Sequence, residues 1–296
     1  MPQAVTPREI RRRIRSIKNT AQITRAMEMV AASKMRRAQQ AVLAARPYAD
    51  RIRAMLGDLA AMTSLTEAEG AFPLLRRRPI NRIQLILVTS DRGLAGSLNT
   101  NVIRRAVDFM TGERSEPIEN FDIVAVGRKG RDFLVRYGWP MIAEFTRITD
   151  RPSVEAIRPI VELATQDFTS GRVDAVFAVY THFINTLRQE PRVFQLLPIE
   201  PPQESGAISD YIFEPDPATV LEALLPRFLE MQLYRVLLEA SASEHSARMV
   251  AMRNATQNAL DLVAELTLTY NKARQAQITR EVSEIAAGAN ALGALQ

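Results

Sequence analysis

LEASASEHSARMVAMRNATQNALDLVAELTLTYNKA, residues 238–273, decides the fold. Read in steps of four and three, it gives Leu238, Ala242, His245, Met249, Met252, Thr256, Ala259, Val263, Leu266, Tyr270 and Ala273. Nine of these eleven positions are apolar, so the seam has a period of 3.5 and asks for a partner helix in a left-handed supercoil. The stretch sits inside 61 residues, Arg227 to Ala287, that hold neither Gly nor Pro. As one helix these would span roughly 90 Å at 1.5 Å per residue, longer than a compact domain of this size requires.

Working outward, the partner lies at the other end of the chain. Residues 8–46 also lack Gly and Pro. Thr6, Pro7 and Glu9 spell a capping box with proline at the first helical position. From Ile10 the same stepping runs through Ile14, Ile17, Ala21, Thr24, Glu28, Ala31, Met35, Ala38, Val42, Ala45, Ala49, Ile52, Leu56 and Leu59. Thirteen of these fifteen are apolar. Pro47 predicts at most a kink, and Gly57 a helix end. Two such seams at opposite ends of one chain predict an antiparallel coiled coil of the terminal helices. The adjacent polar seam residues Thr24 and Glu28 are read as fixing register, a known use of polar seam positions.

Between the helices the pattern becomes α/β. Strands are predicted at 82–89, 121–126, 140–145 and 173–180, with helices at 99–110, 131–137 and 154–169. A last strand at 193–199 is expected to pair with one around 182–187. This alternation implies a largely parallel sheet covered by helices. Residues 201–217, with four prolines and four acidic residues, read as the connection back to the rod, and Asp216 before Pro217 as its N-cap. The expected parts are an N-terminal coil helix (1–60), an α/β domain (79–200) and a C-terminal coil helix (216–296).

Composition removes several functional classes. The 296-residue chain has no cysteine, which excludes disulfides, Cys-based zinc sites and thiol chemistry and fits a reducing compartment. Neither a signal peptide nor an apolar run of membrane-spanning length is read from it. The net charge of +5 is uneven: 13 Lys+Arg against 4 Asp+Glu in residues 1–60, but 7 against 10 in residues 212–296. The two helices are matched to pair, or the basic face meets an acidic partner. Nucleic acid is a rival, but no aromatic residue interleaves with Arg11, Arg12, Arg13 and Arg15 to stack bases. A chaperone-like clamp is another class the pattern admits. The small, nearly uncharged C-terminal tip from Val282 reads either as an end inserted into an apolar socket or as a frayed terminus.

No catalytic arrangement emerges. SDRGLAGSLN (90–99) joins a strand to a helix but lacks both the P-loop Lys-Ser/Thr and the G-x-G-x-x-G spacing. A tight turn with an exposed Arg92 is the better reading. GRKGR (127–131) is a second basic turn. His182 and His245 belong to no metal-spaced cluster. No cofactor, metal or catalytic residue is assigned.

Several motifs resemble one family along the whole chain: IRRRIRSIKNTAQITRAMEMVAASKMRRAQ (10–39), RPYAD (46–50), SDRGLAGSLN (90–99), EPDP (214–217), SEHSARMVAMRNAT (243–256) and YNKARQAQITREVSEIAAGA (270–289). The chain is similar to the γ-subunit family of F-type ATP synthases, the central rotor shaft. The resemblance implies an antiparallel coiled coil with an inserted Rossmann-like domain, and no active site of its own. The implied partners are the α and β subunits of a hexamer, the ε subunit and the membrane c-ring, with no nucleic acid. The implied place is the cytoplasmic face of the bacterial inner membrane, as a peripheral part of the complex. Carried over residue by residue, Met27, Arg92, Arg248, Arg274, Gln275 and Thr279 resemble the contacts that couple the shaft to the hexamer. Tyr211, Phe213 and Glu214 resemble the foot surface that meets the ring and ε. The sequence departs from the family pattern at Ala95 and Ser97, where Cys and Gly are frequent, and at Phe213, where Tyr is common. A Cys-bearing regulatory insertion of the chloroplast type is absent.

Overall fold

A computed structural model describes residues 6–62, 72–112, 120–201 and 214–293. Helix α1 (Pro7–Met62) and helix α5 (Pro217–Gly293) bracket a five-stranded sheet. Between them run β1 (Arg82–Val88), α2 (Leu98–Thr111), β2 (Asn120–Val126), α3 (Arg128–Tyr137), β3 (Met141–Phe145), α4 (Val154–Thr169), β4 (Ala175–Phe183) and β5 (Gln189–Leu197). The chain forms two compact units, one of residues up to Val30 with those from Met249 on, the other Ala31–Arg248.

In the first unit α1 and α5 run antiparallel along the predicted seams. Thr24 Oγ1 lies 2.7 Å from Thr256 Oγ1, and Arg253 Nε donates to Glu28 Oε1 at 2.9 Å. Both polar seam residues of α1 thus meet polar partners across the pair, as the register reading requires. With Thr24 opposite Thr256, the stepping sets Ile10 opposite Tyr270, Ile17 opposite Val263 and Ala21 opposite Ala259. No seam position of either helix in this unit is exposed. The capping box forms as read: Glu9 N donates to Thr6 Oγ1, and Thr6 N to Glu9 Oε2. This start explains an abrupt change in α5. Pro7 lies opposite Ala273, the last half-buried position, and every side chain from Arg274 to Ala287 is exposed.

In the second unit the sheet order is β3-β2-β1-β4-β5, parallel except for β5, which forms a hairpin with β4. Alternate residues of each strand serve opposite faces. Ile86, Val88, Val124, Val126, Val176 and Ala178 pack on α4 and on parts of α1 and α5. Ile83, Leu85, Leu87, Ile123, Ala125, Phe177 and Val179 pack on α2 and α3. Both faces are covered, which is why these strands read as continuous apolar runs.

Two expectations are corrected. Residues 182–187 are not a separate strand: His182 and Phe183 end β4, and Asn185 holds the hairpin turn by accepting from Leu187 N and Arg188 N, both at 2.9 Å. Gly57 does not end α1, which continues to Met62 with Pro47 inside it. Gly57 itself is buried between Leu56 and Leu59, both fully enclosed. Burying those leucines outweighs the roughly 1 kcal/mol that a mid-helix glycine costs. Asp216 caps α5 as expected, accepting from Thr219 N at 2.9 Å.

Candidate functional site

Doubly wound sheets bind ligands outside the carboxyl ends of their strands, where the strand order reverses. Here that point lies between β1 and β4. It is filled by the chain's own helix. Ser243 Oγ of α5 donates to Thr181 O at 3.0 Å, and Ser246 Oγ to Thr186 O at 2.8 Å. Arg248 donates to Gly93 O at 3.2 Å through Nη2, and the same nitrogen pairs with Glu244 Oε1 at 2.7 Å. Among Thr89, Ser90, Asn99, Thr181, Ala240 and Glu244 about 10 Å³ remains, no more than one water occupies.

The phosphate position of such a fold, the amino end of the helix after a strand, is also taken. Asp91 Oδ1 accepts from Arg128 N, the first amide of α3, at 3.1 Å. Lys129 N donates to Ser90 O at 3.1 Å and Gly130 N to Thr89 Oγ1 at 2.8 Å. Gly127 permits this closeness. Its φ is +96°, and a Cβ there would stand 2.0 Å from Thr89 O, so no other residue fits.

The loop 90–94 is consequently fixed. Asp91 Oδ2 also accepts from Arg147 N at 2.9 Å and Thr149 Oγ1 at 3.2 Å. Ser90 Oγ donates to Arg92 O at 2.6 Å, and Asn99 Oδ1 accepts from Ser90 N at 3.0 Å. The main chain of Arg92 is pinned while its side chain is exposed.

Behind the loop stands a cluster of charges. Lys34 Nζ reaches both oxygens of Asp150 at 2.7 Å. Burial opposes the charge of Asp150, yet Lys34, with His245 and Arg92 nearby, holds its carboxyl below the usual range. His245 Nε2 is 3.4 Å from Asp150 Oδ1 without hydrogen-bond geometry. Burial pushes its imidazole down to about 4, so it is neutral near pH 7. Burial likewise pushes Glu244 up, against the pull of Arg248. A second buried carboxylate, Glu239, accepts from Tyr180 Oη at 3.0 Å and Arg235 Nε at 2.9 Å and lies 2.6 Å from His182 Nδ1. It walls a cleft of about 620 Å³ between α1 and α5. These networks were illegible in the sequence because their members come from helices and loops far apart in the chain.

The residues singled out from the sequence fall in different places. Arg248 is 9% exposed and turned inward onto the loop that carries Arg92. Met27 is half-buried on α1, between the exposed Ile23 and Val30. Arg274, Gln275 and Thr279 are exposed on the unpaired end of α5. There Ile278, Val282 and Ile285 form an apolar stripe, 47%, 59% and 73% exposed. Glu214 is exposed at a bend before α5. Tyr211 and Phe213, and the side chains beyond Ala287, lie outside the described residues. No helix is long and apolar enough to cross a membrane, and no three His, Asp or Glu side chains stand together to hold a metal, among the described residues.

The chain matches the family model described as ATP synthase over residues 6–292. It is 55% identical over 287 residues to the ATP synthase gamma chain of Roseiflexus castenholzii, covering 96% of this chain and 98% of that one. It is 54% identical over 286 residues to the gamma chain of Chloroflexus aurantiacus, with the same coverage. Among solved structures, the central stalk and c-ring of Tetrahymena thermophila mitochondrial ATP synthase contains a chain with 25% identity and a TM-score of 0.56, covering 79% of this chain and 99% of that one. A chain of the Euglena gracilis mitochondrial ATP synthase, 20% identical with a TM-score of 0.67, covers 97% of this chain and 95% of its own, and shares the fold.

Proposed function

The chain belongs to the ATP synthase γ-chain family, and from that premise we propose that it is the central-stalk rotor subunit of an F-type ATP synthase. In this role it has no active site of its own. It couples proton-driven rotation of the membrane ring to the conformational cycle of the catalytic β subunits. Its partners are the α and β subunits, ε and the c-ring, on the cytoplasmic face of the bacterial inner membrane.

The observation that carries this reading is the end of α5. A well-paired coil runs on into a helix whose described side chains are all exposed, with Arg274, Gln275 and Thr279 at its start and an apolar stripe beyond. An exposed stripe of this kind marks a surface that meets a partner. The hexamer's central cavity is that partner. Arg274, Gln275 and Thr279 couple there through charge-assisted hydrogen bonds, and Met27 contacts it from α1. Arg92 is a further coupling residue, and Arg248 acts on it from inside. Tyr211, Phe213 and Glu214 form the foot toward the ring and ε. Such contacts shift β conformations only if they differ between the states of β.

Co-expression with the α and β subunits tests the reading. Recovery of one copy of this chain per α3β3 hexamer is expected. Purification with nucleic acid, showing a steep salt dependence, or with unfolded chains, without the hexamer, would overturn it.

A further inference from the structure

Along α1 the seam changes character at one place. Ala38 and Ile52 are buried, but the seam positions between them, Val42, Ala45 and Ala49, are only half-buried. These three line the cleft of about 620 Å³, across which α5 presents Met231 and Leu238 instead of closing against them. The β4–β5 hairpin adds Ile184, 40% exposed, and α1 adds Leu43, 57% exposed. Apolar walls left in water cost about 25 cal/mol per Å², and a contiguous set of them marks a binding surface. The volume lies within the roughly 300–1,000 Å³ of small-ligand sites.

The polar groups of the cleft narrow the occupant. Glu239 already accepts from Tyr180 and Arg235, and His182 Nδ1 is 2.6 Å from it. Burial opposes its charge, yet His182 and Arg235 hold its carboxyl below the usual range. The charge of Asp50 acts on Arg235 after that of Glu239. Both carboxylates of the cleft therefore have a cation within it. Arg46 is the remainder: it lines the cleft, is exposed, and has no hydrogen bond or ion pair among the described residues. With Nδ1 of His182 committed to Glu239, Nε2 is the ring nitrogen left for a ligand. One uncommitted guanidinium beside apolar walls matches a carboxylate on a hydrocarbon body. The planar fork takes the two oxygens, and the hydrocarbon covers the walls. A phosphate or other small anion would leave the walls wet, and a neutral lipid would gain nothing from Arg46.

We propose that this cleft binds a long-chain carboxylate, a free fatty acid, with its head on Arg46 and its chain along Val42, Leu43, Ile184, Met231 and Leu238. The site goes beyond the rotor reading and does not depend on it. One ligand there ties α1, α5 and the hairpin together, so the loaded chain unfolds at a higher temperature.

The test uses the free full-length chain. It is titrated with palmitate below the micellar range, and a diazirine-bearing palmitate analogue is photolysed on it and mapped by mass spectrometry. One palmitate per chain is expected, with labels on the peptides of residues 39–50, 182–184 and 231–242 and a raised thermal midpoint. Arg46→Gln is expected to weaken binding about tenfold, the loss of a charge-assisted bond. Hexadecanol, the same body without the charge, should bind about tenfold more weakly than palmitate and be indifferent to Arg46→Gln. Ala45→Phe, which puts a ring into the cleft, should abolish labelling. Should that variant fail to fold, Ala49→Phe is scored in the same way, and Arg46→Gln, at an exposed position, decides in either case. Several palmitates per chain, bound alike by Arg46→Gln, overturn the site as surface adsorption. Labels on other peptides overturn its place, and equal binding of hexadecanol overturns the role of Arg46. Labelling that vanishes once α, β and ε subunits are bound, or a dimer of the chain that palmitate dissociates, gives the cleft to a protein partner and overturns the proposal. None of these readouts involves rotation, so their failure leaves the central-stalk reading standing.

Discussion

The Arg248 guanidinium lies 3.2 Å from the main-chain oxygen of Gly93, 155 residues away in sequence, and binds Glu244 one helical turn back at 2.7 Å. One side chain thus holds the loop of Arg92 and neutralises a carboxylate that is 4% exposed. Removing one partner of a buried pair leaves an uncompensated charge. Arg248→Ala is therefore expected to destabilise the chain by about 3 kcal/mol. The double variant Glu244→Gln, Arg248→Met should recover most of that stability without refixing the loop. Urea unfolding checks both. A loss in the single variant no larger than that of a surface pair, under about 1 kcal/mol, would show that the pair carries no buried charge.

Arg274 is exposed, and its replacement by Ala is expected to leave the thermal midpoint of the free chain unchanged, a difference within about 0.5 kcal/mol. In the assembled complex the same variant should weaken ATP-driven proton pumping. Undiminished pumping would remove Arg274 from the coupling contacts.

The Thr24–Thr256 contact offers a test of register. Each hydroxyl also lies within reach of a carbonyl of its own helix, Ala21 O at 3.1 Å and Met252 O at 2.9 Å; with one proton each, one hydroxyl donates to its own carbonyl and accepts the bond that the other donates across the pair. Thr24→Val and Thr256→Val should each cost no more than about 1 kcal/mol. The double variant should cost less than the two added together, since one shared bond is lost in either. Strict additivity in thermal unfolding would mean that the cross-helix bond contributes nothing.

His245 predicts a pH dependence of known sign. An unfolded histidine takes up a proton near pH 6.5, the buried one only at about 4. Between these values the unfolded chain binds more protons, so stability falls as pH drops. The contribution is about 2–3 kcal/mol across the window. Glu244, raised by burial, gains from protonation in the folded state and offsets part of it. Asp150 and Glu239, both held low, lose their contributions at still lower pH, below their unfolded values. His245→Gln should flatten the curve between pH 6.5 and 5. An unchanged slope in midpoints measured over that range would assign it to other groups.

The coil was legible because its seam is local and periodic. Each position from Ile10 to Tyr270 could be written down before its partner was known. The strands were legible because burial on both sheet faces leaves runs such as RIQLILV and FDIVAV with little choice of environment. The hairpin between β4 and β5 was misplaced because its turn rests on Asn185, a single side chain accepting from two amides, which has no periodic signature. Asp91 escaped notice for a related reason. In the sequence it is one letter of a basic turn, and its partners Arg128, Arg147 and Thr149 follow 37, 56 and 58 residues later. Arg248 could be singled out by family resemblance alone, and the inward aim of its guanidinium is visible only once the loop at Gly93 is in place.

The helix segment that fills the crevice between β1 and β4 behaves as a key in a keyway. Ser243, Ser246 and Arg248 are bonded to three separate points, Thr181 O at the end of β4, Thr186 O in the hairpin turn and Gly93 O after β1. Apolar packing alone would let a cylinder slip about its axis, because dispersion contacts carry little directional preference. Hydrogen bonds do carry it, and three of them on different supports oppose twisting in either sense. A segment fastened in this way hands shear directly to the sheet. The void that a nucleotide would need is the void whose absence makes the joint stiff.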